Sequence, residues 1–311
     1  MKILIGSVPI EEVLKDDELA DSNKTKLKLV AGIKHFAEDE LGLASTANYR
    51  SLYDQHNKPL LWVVTASERY ALKPYKWIYP VVGALDYRGY FNYSDAKIEA
   101  SGLEAIGYDI RVDAVSAWST LGWFSDPVLS GMLNKKEGEI ARLIIHELTH
   151  STFYYISDAD KSENIATFIG DHGAEVYLNK KYGKTSPQVQ EYKNNLIDVQ
   201  KYAQHLIHGA SILDSLYLTM TPSITVHYKD SLKESAINAV ISSLDTIDFH
   251  NPERFAFLHE RGFHANNAFF IGFLMYRKEQ EMRDKELKDQ FGGDLKCYIQ
   301  YLKTKTKKKI L

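Results

Sequence analysis

The chain has 311 residues, with 38 Lys and Arg against 41 Asp and Glu, a formal net charge of −3, and 44% hydrophobic residues. This balance leaves room for a sizeable core and excludes both the basic surface of a nucleic-acid binder and long disordered stretches. A single cysteine, Cys297, excludes an intramolecular disulfide framework and any cysteine-built zinc site.

Residues 9–42 read as helices: Pro9 precedes Ile10-Glu11-Glu12-Val13-Leu14, and Leu27, Leu29, Val30, Ile33, Phe36 and Ala37 recur at helical spacing before Gly42. Leu60–Ala66 and Trp77–Gly83 are β-branched and aromatic runs bounded by turn residues, which predicts strands. Asp95 to Gly107 then reads as a helix and Tyr108–Val112 as another strand. From Glu137 the pattern is helical nearly to the end, with long amphipathic segments at 187–216, 228–246 and 266–290. The basic tail Lys303–Lys309 is expected to fray in solvent. No apolar run approaches the roughly 18–20 residues of a membrane span. The expected architecture is α+β: one domain with a mixed lobe to about residue 135, a helical lobe beyond it, and a site in the cleft between them.

The chemistry concentrates in Leu143-Ile144-Ile145-His146-Glu147-Leu148-Thr149-His150, which contains H-E-x-x-H. Positions i and i+4 share one helix face, so His146 and His150 can aim their imidazoles at one ion. Glu147 can reach a water on that ion and act as base without being a ligand. With 11 His and 41 acidic residues in the chain, chance supplies roughly 0.05 such matches. The apolar flanks favour a buried helix, where two His and a Glu without a metal would be costly to satisfy.

A catalytic zinc commonly takes three protein ligands. Phe153 and Ile156 stand where a metzincin would carry its glycine and third histidine, so that solution is excluded. Glu163, twelve intervening residues past His150, is the best third ligand; the other candidates are Asp160, Asp171, His172 and Glu175. Thr167 lies one turn after Glu163 and is placed to hydrogen-bond a ligand. An oxyanion donor is expected from Tyr87 or Tyr90, against the plainer reading of packing aromatics, which also suits Tyr154 and Tyr155. The stretch Val112–Trp123 is a candidate edge strand for an extended peptide, or else a packed loop. His205 and His208 have the spacing for a second metal but read better as surface histidines, and Asn266 and Asn267 read as a helix cap.

His146-Glu147-Leu148-Thr149-His150, Glu163-Asn164-Ile165-Ala166-Thr167-Phe168 and Ser119-Thr120-Leu121-Gly122-Trp123-Phe124-Ser125-Asp126-Pro127 together resemble a bacterial family described as putative aminopeptidases. Tyr87-Arg88-Gly89-Tyr90-Phe91, the early helix after Pro9, Asn266-Asn267-Ala268 and Gly292-Gly293-Asp294-Leu295 extend the resemblance over nearly the whole chain. It implies a zincin-like fold of the gluzincin type, one zinc ion and hydrolysis of a peptide substrate. It further implies that natural relatives carry a signal, lipid anchor or single span ahead of the early helix, hence a cell-envelope location. No Gly-x-Met-Glu-Asn stretch is present, so an exopeptidase would meet the substrate amine with another carboxylate, among them Glu104, Asp109, Asp113 and Asp126. Two other functions remain open: a non-catalytic zinc-containing envelope binding protein, and a zinc amidase acting on a non-peptide substrate. The sequence leaves the oligomeric state open.

Overall fold

The computed structural model describes residues 6–79, 83–115, 125–153, 155, 159–276 and 280–307. Short strands and helices alternate at first: β1 (Val8–Pro9), α1 (Ile10–Val13), α2 (Asp21–Asp39), β2 (Ser51–Tyr53), β3 (Leu61–Glu68), β4 (Trp77–Tyr79) and β5 (Gly83–Leu85). They continue with β6 (Tyr87–Tyr90), α3 (Tyr93–Ala105), β7 (Tyr108–Val115) and β8 (Val128–Leu129). Helices then take over: α4 (Glu137–His150), α5 (Ala159–Tyr182), α6 (Pro187–Leu218), α7 (Val226–Ser243), α8 (Asn267–Tyr276), α9 (Gln280–Phe291) and α10 (Leu295–Lys307). The class is therefore α+β, with its sheets in the N-terminal half and a helical C-terminal part.

Two compact units emerge, and each draws on distant stretches of the chain. The first takes Met1–Leu60, Val115–Tyr192 and Lys278–Leu311; the second takes Leu61–Ala114 and Lys193–Arg277. The lobes drawn from the sequence at about residue 135 follow chain order, whereas the units interleave.

In the first unit β1 and β2 are antiparallel (Val8 opposite Leu52), and β2 runs parallel to β8 (Leu52 opposite Val128). Strands of two or three residues are too short to show the alternation that identifies a strand in sequence. The apolar stripe of α2, with Leu27, Val30, Ile33 and Phe36, is buried, as are Ile140, Ile144, Ile145 and Leu148 of α4 and Ile165, Phe168 and Ile169 of α5. The C-terminal end departs from expectation. Leu295, Tyr298, Ile299 and Leu302 are buried at helical spacing on α10, which continues as helix through 303–307 of the stretch expected to fray; residues 308–309 fall outside the described residues.

In the second unit β3 lies between β6 and β7, with Trp62 opposite Tyr90 and Thr65 opposite Tyr87, and β4 pairs with β5 as a separate hairpin. Ala96, Ala100 and Leu103 of α3 bury against Val64, Ala66 and Trp77. A second cluster gathers Leu206, Leu213, Ile237, Val240, Phe255 and Phe270 from α6, α7 and their neighbours. The segment 266–290, read as one amphipathic stretch, holds two helices, α8 and α9. Asn266 caps α8 as expected, its Oδ1 accepting from the Phe269 N–H at 3.2 Å. Asn267 does more. It is 0% exposed, its amide donates to the carbonyl of Glu68 (2.9 Å), and its Oδ1 accepts from the Tyr217 hydroxyl (2.6 Å). Its own N–H donates to Asp109 Oδ2, which also receives the Lys233 ammonium. No described helix is long and apolar enough to cross a membrane.

Candidate metal centre

The helix α4 forms for local reasons. Glu137 and Glu139 place negative charge in its first turn, and the Lys136 N–H donates to Glu139 Oε2 (3.3 Å). Its C-terminal end is closed by the N–H groups of Thr152 and Phe153, which both donate to the Thr149 carbonyl. Against it α5 runs antiparallel: Lys181 pairs with Glu137, Arg142 with Asp171, and Glu163 faces His146 and His150.

Two glycines permit the close approach. A Cβ at Gly170 would stand 2.9 Å from the Arg142 carbonyl and 3.1 Å from His146 Cβ, and one at Gly173 would stand 2.9 Å from Ile145 Cγ2. Ordinary side chains there would force the two helices apart.

This packing brings three donors to one point. His146 Nε2 and His150 Nε2 are 3.2 Å apart, and the Glu163 carboxylate straddles them, with Oε2 at 3.4 Å from His146 and Oε1 at 3.4 Å from His150. One ligand atom from each of His146, His150 and Glu163 lies within 4.8 Å of the others, the one such set among the described residues. Glu163 stands inside α5, which begins at Ala159, so the helix starts earlier than the sequence suggested.

Electrostatics act on two members of the set, His150 and Glu163. His150 is 4% exposed, and burial, with His146 adding to it against the opposing charge of Glu163, pushes its pKa down to about 4. The ring is therefore neutral at neutral pH, as a ligand must be. Burial alone would raise the Glu163 carboxyl, but the hydrogen bond to His146 and the nearby His150 bring it below its ordinary value, so it stays ionised.

Glu147 follows His146 on α4 and is half-buried; Thr167 is buried one turn beyond Glu163. The alternative third ligands have other partners: Asp171 binds Arg142, and His172 Nε2 lies 2.7 Å from Asp284. Nothing is described for the Asp160 side chain. Tyr87 belongs to the second unit, on β6, at 38% exposure. Of the edge-strand stretch Val112–Trp123, residues 112–115 form the end of β7, and the rest falls outside the described residues, as do Tyr154, Ile156 and Asp158. His208 is exposed, as the plainer reading expected, whereas His205 is half-buried, 2.9 Å from the Val240 carbonyl and 3.1 Å from Ser243 Oγ, rather than a surface histidine.

Among the acidic candidates for meeting a substrate amine, Glu104, Asp109 and Asp113 lie in the second unit. Asp109 binds Lys233 and Asp113 binds Arg111. Asp126, almost fully buried, is in the first unit with the triad.

Compared with known families, the chain matches the one described as "Putative aminopeptidase" over residues 1–309. The chain belongs to that family. Its description makes this aminopeptidase-family chain a peptidase in general terms, and a carboxylate beside two histidines suits hydrolysis. No curated protein and no solved structure matches it.

Proposed function

We propose that this chain is a one-zinc aminopeptidase, its metal held by His146, His150 and Glu163 and its catalytic base supplied by Glu147. One observation carries the reading. Donors about 2.0–2.1 Å from a tetrahedral zinc stand about 3.3–3.4 Å from one another. The separations here are 3.2, 3.4 and 3.4 Å. Two imidazoles and one carboxylate also form a usual ligand set of a catalytic zinc with an open fourth position.

When bound, zinc supplies Lewis acidity at the scissile carbonyl and acidifies water nearby. The protein's own part falls to Glu147. Its carboxylate takes a proton from the attacking water as the water oxygen bonds to the carbonyl carbon. The same carboxyl then gives that proton to the departing amine as the C–N bond breaks. Thr167 is expected to steady Glu163. Tyr87, anticipated as the oxyanion donor, stands on an exposed strand of the second unit. The expected substrate is a peptide, and an envelope location stays part of the proposal.

The test is mass spectrometry of a mixed peptide library digested by zinc-loaded protein, with Glu147→Gln as control. Loss of single N-terminal residues in the wild type alone is the expected result. Internal cuts would replace the aminopeptidase reading with an endopeptidase. Absence of cleavage by zinc-containing protein would favour a binding role or a non-peptide substrate.

A further inference from the structure

One face of α7 lines a cavity of about 470 Å³ built entirely from residues of the second unit. Asp230, Lys233, Glu234, Ile237, Asn238 and Ile241 recur at i, i+3, i+4, i+7, i+8 and i+11, which sets them on one side of the helix. The turn from α3 into β7 supplies Glu104 and Asp109, Arg69 follows β3, and the segment 258–265 adds Leu258 and Phe263. The volume falls within the range of small-molecule sites.

The charges in this cavity do not cancel. Arg69 is committed to Asp230, its Nε donating to Oδ1 (3.0 Å) and its Nη2 to Oδ2 (2.7 Å), and the Tyr70 hydroxyl also donates to Oδ1 (2.7 Å). Lys233 is committed to Asp109 and to the Arg69 carbonyl (2.9 Å). Each cation thus answers one carboxylate. Glu104 and Glu234 are left with no side-chain partner among the described residues. Both are exposed, and two uncompensated like charges in one concave site attract cations.

The buried part of the cavity has the opposite need. Lys233 is 8% exposed, and its ammonium carries three hydrogens. Two are used; the third meets no oxygen among the described residues, the centroid of the Tyr70 ring standing 5.9 Å from the nitrogen. A buried donor on a charged group calls for an acceptor. Ile237, Ile241, Leu258 and Phe263 give the same cavity an apolar lining.

We propose that this cavity binds a basic amino acid, arginine or lysine. Its two positive groups, the α-ammonium and the side-chain cation, answer Glu104 and Glu234. Its carboxylate accepts the spare hydrogen of Lys233. Its methylene stem lies on the apolar lining, as the stems of these side chains do against apolar surfaces generally. The binding is non-covalent and does not rest on the peptidase reading.

The experiment is calorimetric titration of the full chain, with and without zinc, using four probes: arginine, lysine, norleucine and cadaverine. Norleucine keeps the carboxylate and stem but lacks the side-chain cation; cadaverine keeps two cations but lacks the carboxylate. Arginine and lysine are expected to bind equally well with and without zinc, with norleucine and cadaverine each weaker by about tenfold or more. The double variant Glu104→Gln, Glu234→Gln should lose about tenfold in arginine affinity while its circular dichroism and zinc content match wild type, since both positions are exposed. No binding of either basic amino acid at millimolar concentration would overturn the proposal. So would norleucine or cadaverine binding as tightly as lysine, or an unchanged affinity in the double variant. Binding confined to zinc-loaded protein would place the ligand at the metal centre and overturn it as well. Each of these failures leaves the peptidase reading intact.

Discussion

Gly170 on α5 lies directly against His146 on α4, so close that a methyl group there would sit 3.1 Å from His146 Cβ and 2.9 Å from the Arg142 carbonyl. The obstacle on one side is backbone, which cannot rotate away. Gly170→Ala is therefore expected to separate the helices, at a cost of about 1–3 kcal/mol of stability. Because the same separation spreads Glu163 from the histidines, zinc affinity should fall at least tenfold. Thermal melts and chelator competition on the same protein check both.

The proposed ligand and base roles predict separable losses. His146→Ala should lose zinc and activity together, whereas Glu147→Gln should retain zinc and lose activity by a factor of about 10² or more. Metal analysis alongside a peptidase assay reads both; full activity in Glu147→Gln would sink the mechanism. Stripping the metal from wild type should lower its thermal midpoint, and zinc at about 100 times its Kd should restore roughly 2.7 kcal/mol.

In the second unit, Asp109 accepts from both the Lys233 ammonium and the Asn267 N–H, and Lys233 also donates to the Arg69 carbonyl at 2.9 Å. Asp109→Ala leaves the buried ammonium with the Arg69 carbonyl as its remaining hydrogen-bond partner among the described residues and is expected to destabilise by about 3–5 kcal/mol. The double variant Asp109→Ala, Lys233→Met should recover part of that loss, since it removes the stranded charge. Urea denaturation of the two variants distinguishes an uncompensated charge from simple loss of packing.

Asp198 supplies a pH signature. It is 0% exposed and accepts from the His250 N–H (2.9 Å) and the Asn251 N–H (2.8 Å), with His250 Nδ1 also at 2.9 Å. Burial would raise its pKa, but the His250 backbone and ring and the Asn251 N–H outweigh that and lower it. A depressed folded pKa means its contribution is fully present above the unfolded value of about 3.9 and is lost as pH falls through the lower folded value. The stability gap between wild type and Asp198→Asn should therefore be largest near neutrality and narrow as pH falls below about 4. A gap constant from pH 7 to pH 3 in denaturant melts would contradict this.

The candidate triad was legible in the sequence where its geometry is local. His146 and His150 share a helix face by spacing alone, and Glu163 could be picked because it stands on the next helix, a short turn away. The strained backbone of Tyr49 was not legible: the loop 44–49 is tied to Thr152 and Asp126 by contacts between residues about 80 to 110 positions apart. The fold shows the same division. Helices such as α2 and α4 carry full apolar stripes and were readable, whereas β1 and β8, at two residues each, carry no period. The α10 helix did carry a signal, Leu295, Tyr298, Ile299 and Leu302, obscured by the lysines around it. The interleaved units leave no trace in composition, because the chain crosses between them without a Gly- or Pro-rich linker, in one case within α6.

The three donors fall within a single hairpin of consecutive helices, with only twelve residues between His150 and Glu163. An ion gripping them would act as a short staple, closing a small loop and so restricting the unfolded chain only modestly. Its grip is local to α4 and α5. Depleting the ion should make that hairpin breathe, with faster amide exchange along both helices, while amides in 61–114 and 193–277 keep their protection.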